Sequence, residues 1–93
     1  MNDAIVWSKE TCGFCDLAIK ELKRRNYNVI IKKIIEPITP IEERDTMYTK
    51  EDLLDVVPHS RSVPQIFIGN NLIGGYTDLV KYFSRSKNVW ISM

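Results

Sequence analysis

The sequence predicts an α/β fold, and three features carry that prediction. A strand-like apolar run near the start leads into a helix-like run and then a second strand-like run, the order of a β-α-β unit. A tight hairpin and a closing helix can be read in the last third of the chain. At the junction of the first strand and first helix stands Lys9-Glu10-Thr11-Cys12-Gly13-Phe14-Cys15, a Cys-x-x-Cys placed where a helix should begin.

Asp3 to Trp7 reads as a short buried strand, because Ala4, Ile5, Val6 and Trp7 are uninterrupted by polar residues. Beyond the cysteines, Phe14, Leu17, Ala18 and Leu22, with Ile19 beside them, recur at helical spacing. Lys20, Glu21, Lys23, Arg24 and Arg25 fill the opposite, solvated face, and the helix should end near Asn26. Asn28 to Ile35, rich in Ile and Val around Lys32 and Lys33, suits a second strand. Crossovers of this kind are right-handed and join parallel strands, so the two strands should lie side by side under the helix.

Glu36-Pro37-Ile38-Thr39-Pro40 breaks the second strand. Thr39 looks like an N-cap, with Pro40 at the first helical position and Glu42 completing a capping box, for a short helix reaching Arg44 or Met47. Thr49-Lys50-Glu51-Asp52 offers a second cap ahead of Leu53, Leu54, Val56 and Val57, with Pro58 as the stop. The segment 37–57 reads as one bent helix or as two. Ser62 to Gly69 is a loop entering a strand, and Gly69-Asn70-Asn71 a turn into Leu72-Ile73, which together make the hairpin. After Gly74-Gly75, Thr77 can cap a last helix from about Asp78 to Ser84, with Leu79, Val80, Tyr82 and Phe83 on its apolar side. The tail from Asn88 to Met93 has no assigned form, although Val89, Trp90 and Ile91 predict that it packs.

With 93 residues, 44% apolar and 27% charged, the chain has the composition of one globular domain spanning residues 1–93. Its 13 Lys and Arg are balanced by 12 Asp and Glu, so no basic surplus points to nucleic acid. Both cysteines sit in the one motif and none is left to staple a secreted fold, which predicts a reducing, cytoplasmic home. Asp3 stands where a signal peptide would be basic, and no apolar run approaches a membrane span. A soluble monomer without a membrane partner is expected.

The position of the cysteines is what gives them chemistry. A helix N-terminus carries unsatisfied N–H groups and about half a positive charge, so a cysteine there is held partly as thiolate near neutral pH. Cys12 is the expected nucleophile. Cys15, one helical turn on and on the same face, is near enough to close a disulfide and is the expected resolving thiol. A structural zinc would need four ligands, and His59 is the only further candidate, so no metal is expected. Trp7 reads as core, and Phe14 as packing beside the cysteines.

Three segments together resemble the glutaredoxins in order and spacing, over most of the chain. They are Lys9-x-x-Cys12-Gly13-Phe14-Cys15, Ser62-Val63-Pro64-Gln65-Ile66-Phe67-Ile68 and Ile73-Gly74-Gly75-Tyr76-Thr77-Asp78-Leu79. The resemblance implies a thioredoxin-like fold, a four-stranded mixed sheet flanked by helices. It implies that Pro64 is cis and faces Cys12, and that the Val63 backbone pairs with glutathione as an added strand. The γ-glutamyl carboxylate would meet N–H groups near Thr77 and Asp78 at the start of the last helix, with Asp78 also pairing the α-ammonium. Gly75 would leave room for the ligand, Lys9 would meet the glycyl carboxylate, and Phe14 and Tyr76 complete the set. The implied activity uses glutathione as co-substrate to reduce glutathionylated proteins and protein disulfides, such as that of ribonucleotide reductase.

The chain departs from the family at the motif itself. Dithiol members commonly carry Pro and Tyr between the cysteines, where this chain has Gly13 and Phe14. A Cys-Gly-Phe beginning is shared with monothiol members, which hold a [2Fe-2S] cluster between two protomers with glutathione as ligand. A cluster carrier is therefore the alternative class, although Cys15 argues against it. A reductase supplied by thioredoxin reductase is the third reading.

Overall fold

A computed structural model describes the backbone of residues 2–91 and the side chains of residues 2–84. Strand β1 (Asp3–Ser8), helix α1 (Gly13–Arg24) and strand β2 (Asn28–Lys33) form the first unit. A 3-10 helix (Ile41–Thr46) and helix α2 (Lys50–Val56) follow, then strands β3 (Gln65–Ile68) and β4 (Asn71–Gly74) and helix α3 (Tyr76–Ile91). The sheet runs in the order β2-β1-β3-β4. β1 is parallel to β2, with Val6 opposite Ile31, and antiparallel to β3, with Val6 opposite Ile66. β3 and β4 form the antiparallel hairpin, turning through Gly69 at a φ of 61° that favours glycine. This is the four-stranded mixed sheet flanked by helices, with α1 and β2 in the expected parallel crossover.

The unbroken apolar run in β1 is explained by cover on both faces of the sheet. Ala4 and Val6 point to one side, where Ile66, Ala18, Leu22 and Leu79 bury them beneath α1 and α3. Trp7 points to the other, against Leu53 and Val57 of α2 and in edge contact with Tyr48 at 5.3 Å between ring centroids. β1 is thus clamped between layers, and its C-terminal end delivers the cysteine loop to a defined place. At the far end of α1, Asn26 takes a left-handed φ of 66° and stops the helix where the sequence placed its end.

Four local expectations are corrected. The buried stripe of α1 is Cys15, Ala18 and Leu22, whereas Phe14 and Leu17 face outward. The cysteine pair shifts the helix phase, because the apolar residue that the core takes from the first turn is Cys15. Thr39 does not cap a helix. Its hydroxyl accepts the Glu36 N–H at 3.0 Å inside the preceding turn, and the 3-10 helix begins after Pro40 with no side-chain cap. Segment 37–57 is accordingly two separate pieces, and only the second has the predicted cap: Thr49 and Asp52 form a complete capping box. The last helix starts at Tyr76, two residues before the expected start, so Thr77 lies inside it and is not its cap. It also continues to Ile91, and the predicted packing of Val89, Trp90 and Ile91 concerns side chains outside those described. β2 ends at Lys33, with Ile30 and Ile31 partly bare, as befits a strand on the sheet edge. Among the described residues no helix is long and apolar enough to cross a membrane.

Candidate active site

Cys12 is the residue immediately before α1, with an extended backbone (φ −118°, ψ 103°). An N-cap side chain normally takes the N–H three residues on, and here the acceptor is sulfur: the Cys15 N–H donates to Cys12 Sγ at 3.2 Å. The two Cα atoms are 5.3 Å apart and the side chains are joined as a disulfide. The pair is unequal, since Cys15 is 1% exposed whereas Cys12 is only partly buried. Cys15 is thus shielded from an incoming reactant, and Cys12 is the member of the pair with exposed surface.

Facing Cys12 is the loop that enters β3. The Val63-Pro64 peptide is cis, and the Val63 carbonyl oxygen lies 3.7 Å from Cys12 Sγ. In the disulfide that sulfur carries no proton, so the contact is a close approach and becomes a hydrogen bond only in the reduced thiol. Beside it runs a groove of about 180 Å³ lined by Phe14, Ser62, Val63, Pro64, Gly75, Tyr76 and Thr77. Phe14 is 62% exposed and stacks on Tyr76, with ring centroids 6.0 Å apart, which makes the two rings one apolar rim.

Six of the residues expected at the ligand site are thus brought together, and two are not. Lys9 lines a second groove of about 290 Å³, with Arg61, Lys50, Ile34 and Leu53, on the other side of Val63. Asp78 faces Leu72, Ile73, Lys81 and Tyr82, and its Oδ2 accepts the Gly75 N–H at 2.9 Å. That bond, with the Leu79 N–H donating to the Gly75 carbonyl at 3.0 Å, makes Gly75 the cap residue of α3. A Cβ at Gly75 would meet only ordinary contacts. Of the two neighbours it is Gly74 that must be glycine, since its φ is 118° and a Cβ would lie 2.5 Å from Asp78 Oδ2.

One contact at the site escaped the sequence reading. The Glu36 carboxylate holds the loop just ahead of Cys12, at Glu10 and Thr11. An acid three residues beyond β2 was the signal that could have found it, since parallel pairing brings the ends of β1 and β2 together. His59 is exposed on the turn after α2. Among the described residues no cluster of three or more His, Cys, Asp or Glu side chains is positioned to hold a metal ion. Ionisation is perturbed away from the site: hydrogen bonds from Arg25 and then Arg24 hold Glu21 below its ordinary value, and burial raises Tyr27.

The glutaredoxin family model matches residues 4–73, which include the cysteine pair, the cis-proline loop and the hairpin up to Ile73. The chain belongs to the glutaredoxin family. Glutaredoxin-1 of vaccinia virus (strain Copenhagen) is 31% identical over 80 residues, covering 86% of this chain and 70% of that protein. Among solved structures, glutaredoxin 1 of Francisella tularensis superposes with a TM-score of 0.61 at 21% identity, covering 95% of this chain and 99% of that one. The buckwheat glutaredoxin-glutathione complex superposes with a TM-score of 0.61 at 28% identity, covering 95% of this chain and 74% of that one. As a glutaredoxin the protein is a thiol-disulfide oxidoreductase on a thioredoxin-like fold, and Cys12 and Cys15 form its redox-active disulfide.

Proposed function

We propose that this glutaredoxin uses glutathione to reduce glutathionylated proteins and protein disulfides, with Cys12 as nucleophile and Cys15 as resolving thiol. The observation that carries the reading is the inequality of the two sulfurs. Cys12 is partly exposed, takes the Cys15 N–H and lies 3.7 Å from the carbonyl of Val63, a residue that lines the groove, whereas Cys15 is buried. On a glutathione mixed disulfide, the Cys12 thiolate attacks the glutathione sulfur. The bond to the target sulfur breaks, and the target leaves as a thiolate and takes a proton. The thiolate of a second glutathione attacks the glutathione sulfur on Cys12, which frees the Cys12 thiolate and gives oxidised glutathione. On a protein disulfide, Cys12 attacks one target sulfur and expels the other. Cys15 then attacks Cys12, releases the first target sulfur, and the Cys12–Cys15 disulfide is reduced by two glutathiones.

The tripeptide would lie along the groove with the Val63 backbone as its strand partner and its γ-glutamyl carboxylate at the start of α3. There the N–H groups of Tyr76, Thr77 and Asp78 belong to the first helical turn, and Gly75 has no side chain to take one. Asp78 Oδ2 sets that start, leaving Oδ1 for the α-ammonium. Phe14 and Tyr76 cover one flank. Pro64, which lines the same groove, would lie under the tripeptide, and Lys9 would have to reach the glycyl carboxylate from the neighbouring groove beyond Val63. The glutathione complex of the buckwheat relative supports this choice of ligand. A cytoplasmic monomer acting on disulfide-containing or glutathionylated proteins fits the two-cysteine composition.

The test compares electron donors. Reduction of a protein disulfide should be faster with glutathione and glutathione reductase than with NADPH and thioredoxin reductase. Turnover that depends on thioredoxin reductase and ignores glutathione would overturn the proposal.

A further inference from the structure

The segment between β2 and α2 lines the second groove, through Ile34, Ile35, Glu36 and Pro37, but not the one beside Cys12, and one of its side chains reaches the nucleophile's loop. Glu36 Oε1 accepts the Glu10 N–H at 3.1 Å and Oε2 accepts the Thr11 hydroxyl at 3.2 Å, from 26 and 25 residues away along the chain. Lys9, Glu10 and Thr11 are exposed and belong to no strand or helix, so little else restrains them. The ion pair of Lys33 with Glu10, at 3.0 Å, is solvent-exposed and contributes little. Glu36 is itself held in place. Its N–H donates to Thr39 Oγ1 at 3.0 Å, and the Arg44 guanidinium donates to the Thr39 carbonyl at 2.9 and 3.1 Å and to the Glu36 carbonyl at 3.4 Å.

We propose that Glu36 is a positioning residue for Cys12, acting through the Glu10 backbone and the Thr11 hydroxyl. In the oxidised protein the bond to Cys15 holds Cys12. On reduction that covalent tie is gone, and Cys12 must keep its sulfur on the Cys15 N–H by the conformation of its own backbone. Thr11 is the residue before it, so freedom in the loop becomes freedom of the nucleophile. The Glu36 clamp therefore acts on the reduced, attacking form. The proposal rests on Cys12 being the nucleophile, but it is tested by alkylation, which needs no glutathione.

The experiment measures the rate at which iodoacetamide alkylates Cys12 at pH 7 in a Cys15→Ser background, with Tm recorded for every variant. Glu36→Ala should slow alkylation at pH 7 roughly three- to tenfold, since a sulfur that spends less time on the Cys15 N–H is less often present as the thiolate that alkylates. Glu36→Gln should return the rate to within about twofold. Its amide oxygen still accepts the Glu10 N–H, and its NH₂ can donate to the Thr11 hydroxyl. Arg44→Ala, which removes no contact to the loop, should give a smaller loss in the same direction. An unchanged rate in Glu36→Ala overturns the proposal, and so does a glutamine variant as slow as alanine. Should Glu36→Ala not fold, Thr11→Val takes its place, and an unchanged rate there has the same meaning.

Discussion

Helices α1 and α2 begin with the same hydrogen bond and put it to different uses. At α2 the Thr49 hydroxyl accepts the Asp52 N–H at 3.1 Å, and the Asp52 carboxylate accepts the Thr49 N–H at 2.9 Å, closing the box in both directions. At α1 the Cys12 sulfur accepts the Cys15 N–H at 3.2 Å, and the residue that would return the bond is a second cysteine. The spacing matches and both cap residues are extended, but the residue types differ. The α2 start is a stability device with both halves of its box made. The α1 start gives up half of the box and gains two sulfurs, one of them partly exposed. Helix α3 shows the complementary half: Asp78 accepts the Gly75 N–H, and glycine has nothing to give in return. The two incomplete starts are the ones that border the groove.

The difference can be broken most sharply at the sulfurs. Cys12→Ser should abolish turnover of every substrate. Cys15→Ser should keep reduction of glutathione mixed disulfides and lose reduction of protein disulfides, and equal loss in both variants would refute the division of roles. Next in size is Gly74→Ala, which places a side chain at a φ of 118° and against the Asp78 carboxylate. A destabilisation of about 1–3 kcal/mol is expected from denaturant titration, together with weaker glutathione binding as the α3 start shifts. Thr49→Ala breaks the complete box and should lower stability by about 1 kcal/mol, a fall in Tm of roughly 4–8 °C, with activity unchanged.

The smallest effect lies at the other end of α1, where Arg25 and Arg24 hold Glu21 below its ordinary value of 4.5. A depressed carboxyl contributes stability above its unfolded value and loses that contribution as pH falls through its folded value. Glu21→Gln should therefore be less stable than the parent by about 0.5 kcal/mol near neutrality, the order of an exposed helix ion pair. The gap should close below pH 4.5 as Glu21 protonates in the parent.

Reading the sequence succeeded where one residue type has one use. The unbroken Ala4-Ile5-Val6-Trp7 run, the Gly69 turn and the cap at Thr49 were each legible, and each is present, the cap as a complete box with Asp52. It failed where a cap residue had two possible partners. Thr39 has the pattern of an N-cap, but its hydroxyl turns back to the Glu36 N–H because Arg44 gathers the carbonyls of that turn. Thr77 looked like the cap of α3, yet an aspartate three residues beyond Gly75 marks the true start. The groove residues Phe14, Val63, Pro64, Gly75, Tyr76 and Thr77 were legible through the family resemblance. Glu36 was not, because its role exists only once parallel pairing has brought the ends of β1 and β2 together.

The most direct test is an NMR comparison of the Cys15→Ser protein before and after glutathione is joined to Cys12. Amide shifts concentrated at Val63 and at Gly75, Tyr76 and Thr77 are the predicted result. Shifts confined to Lys50, Leu53 and Leu54 in the neighbouring groove, or failure of Cys12 to take up glutathione at all, would contradict the account.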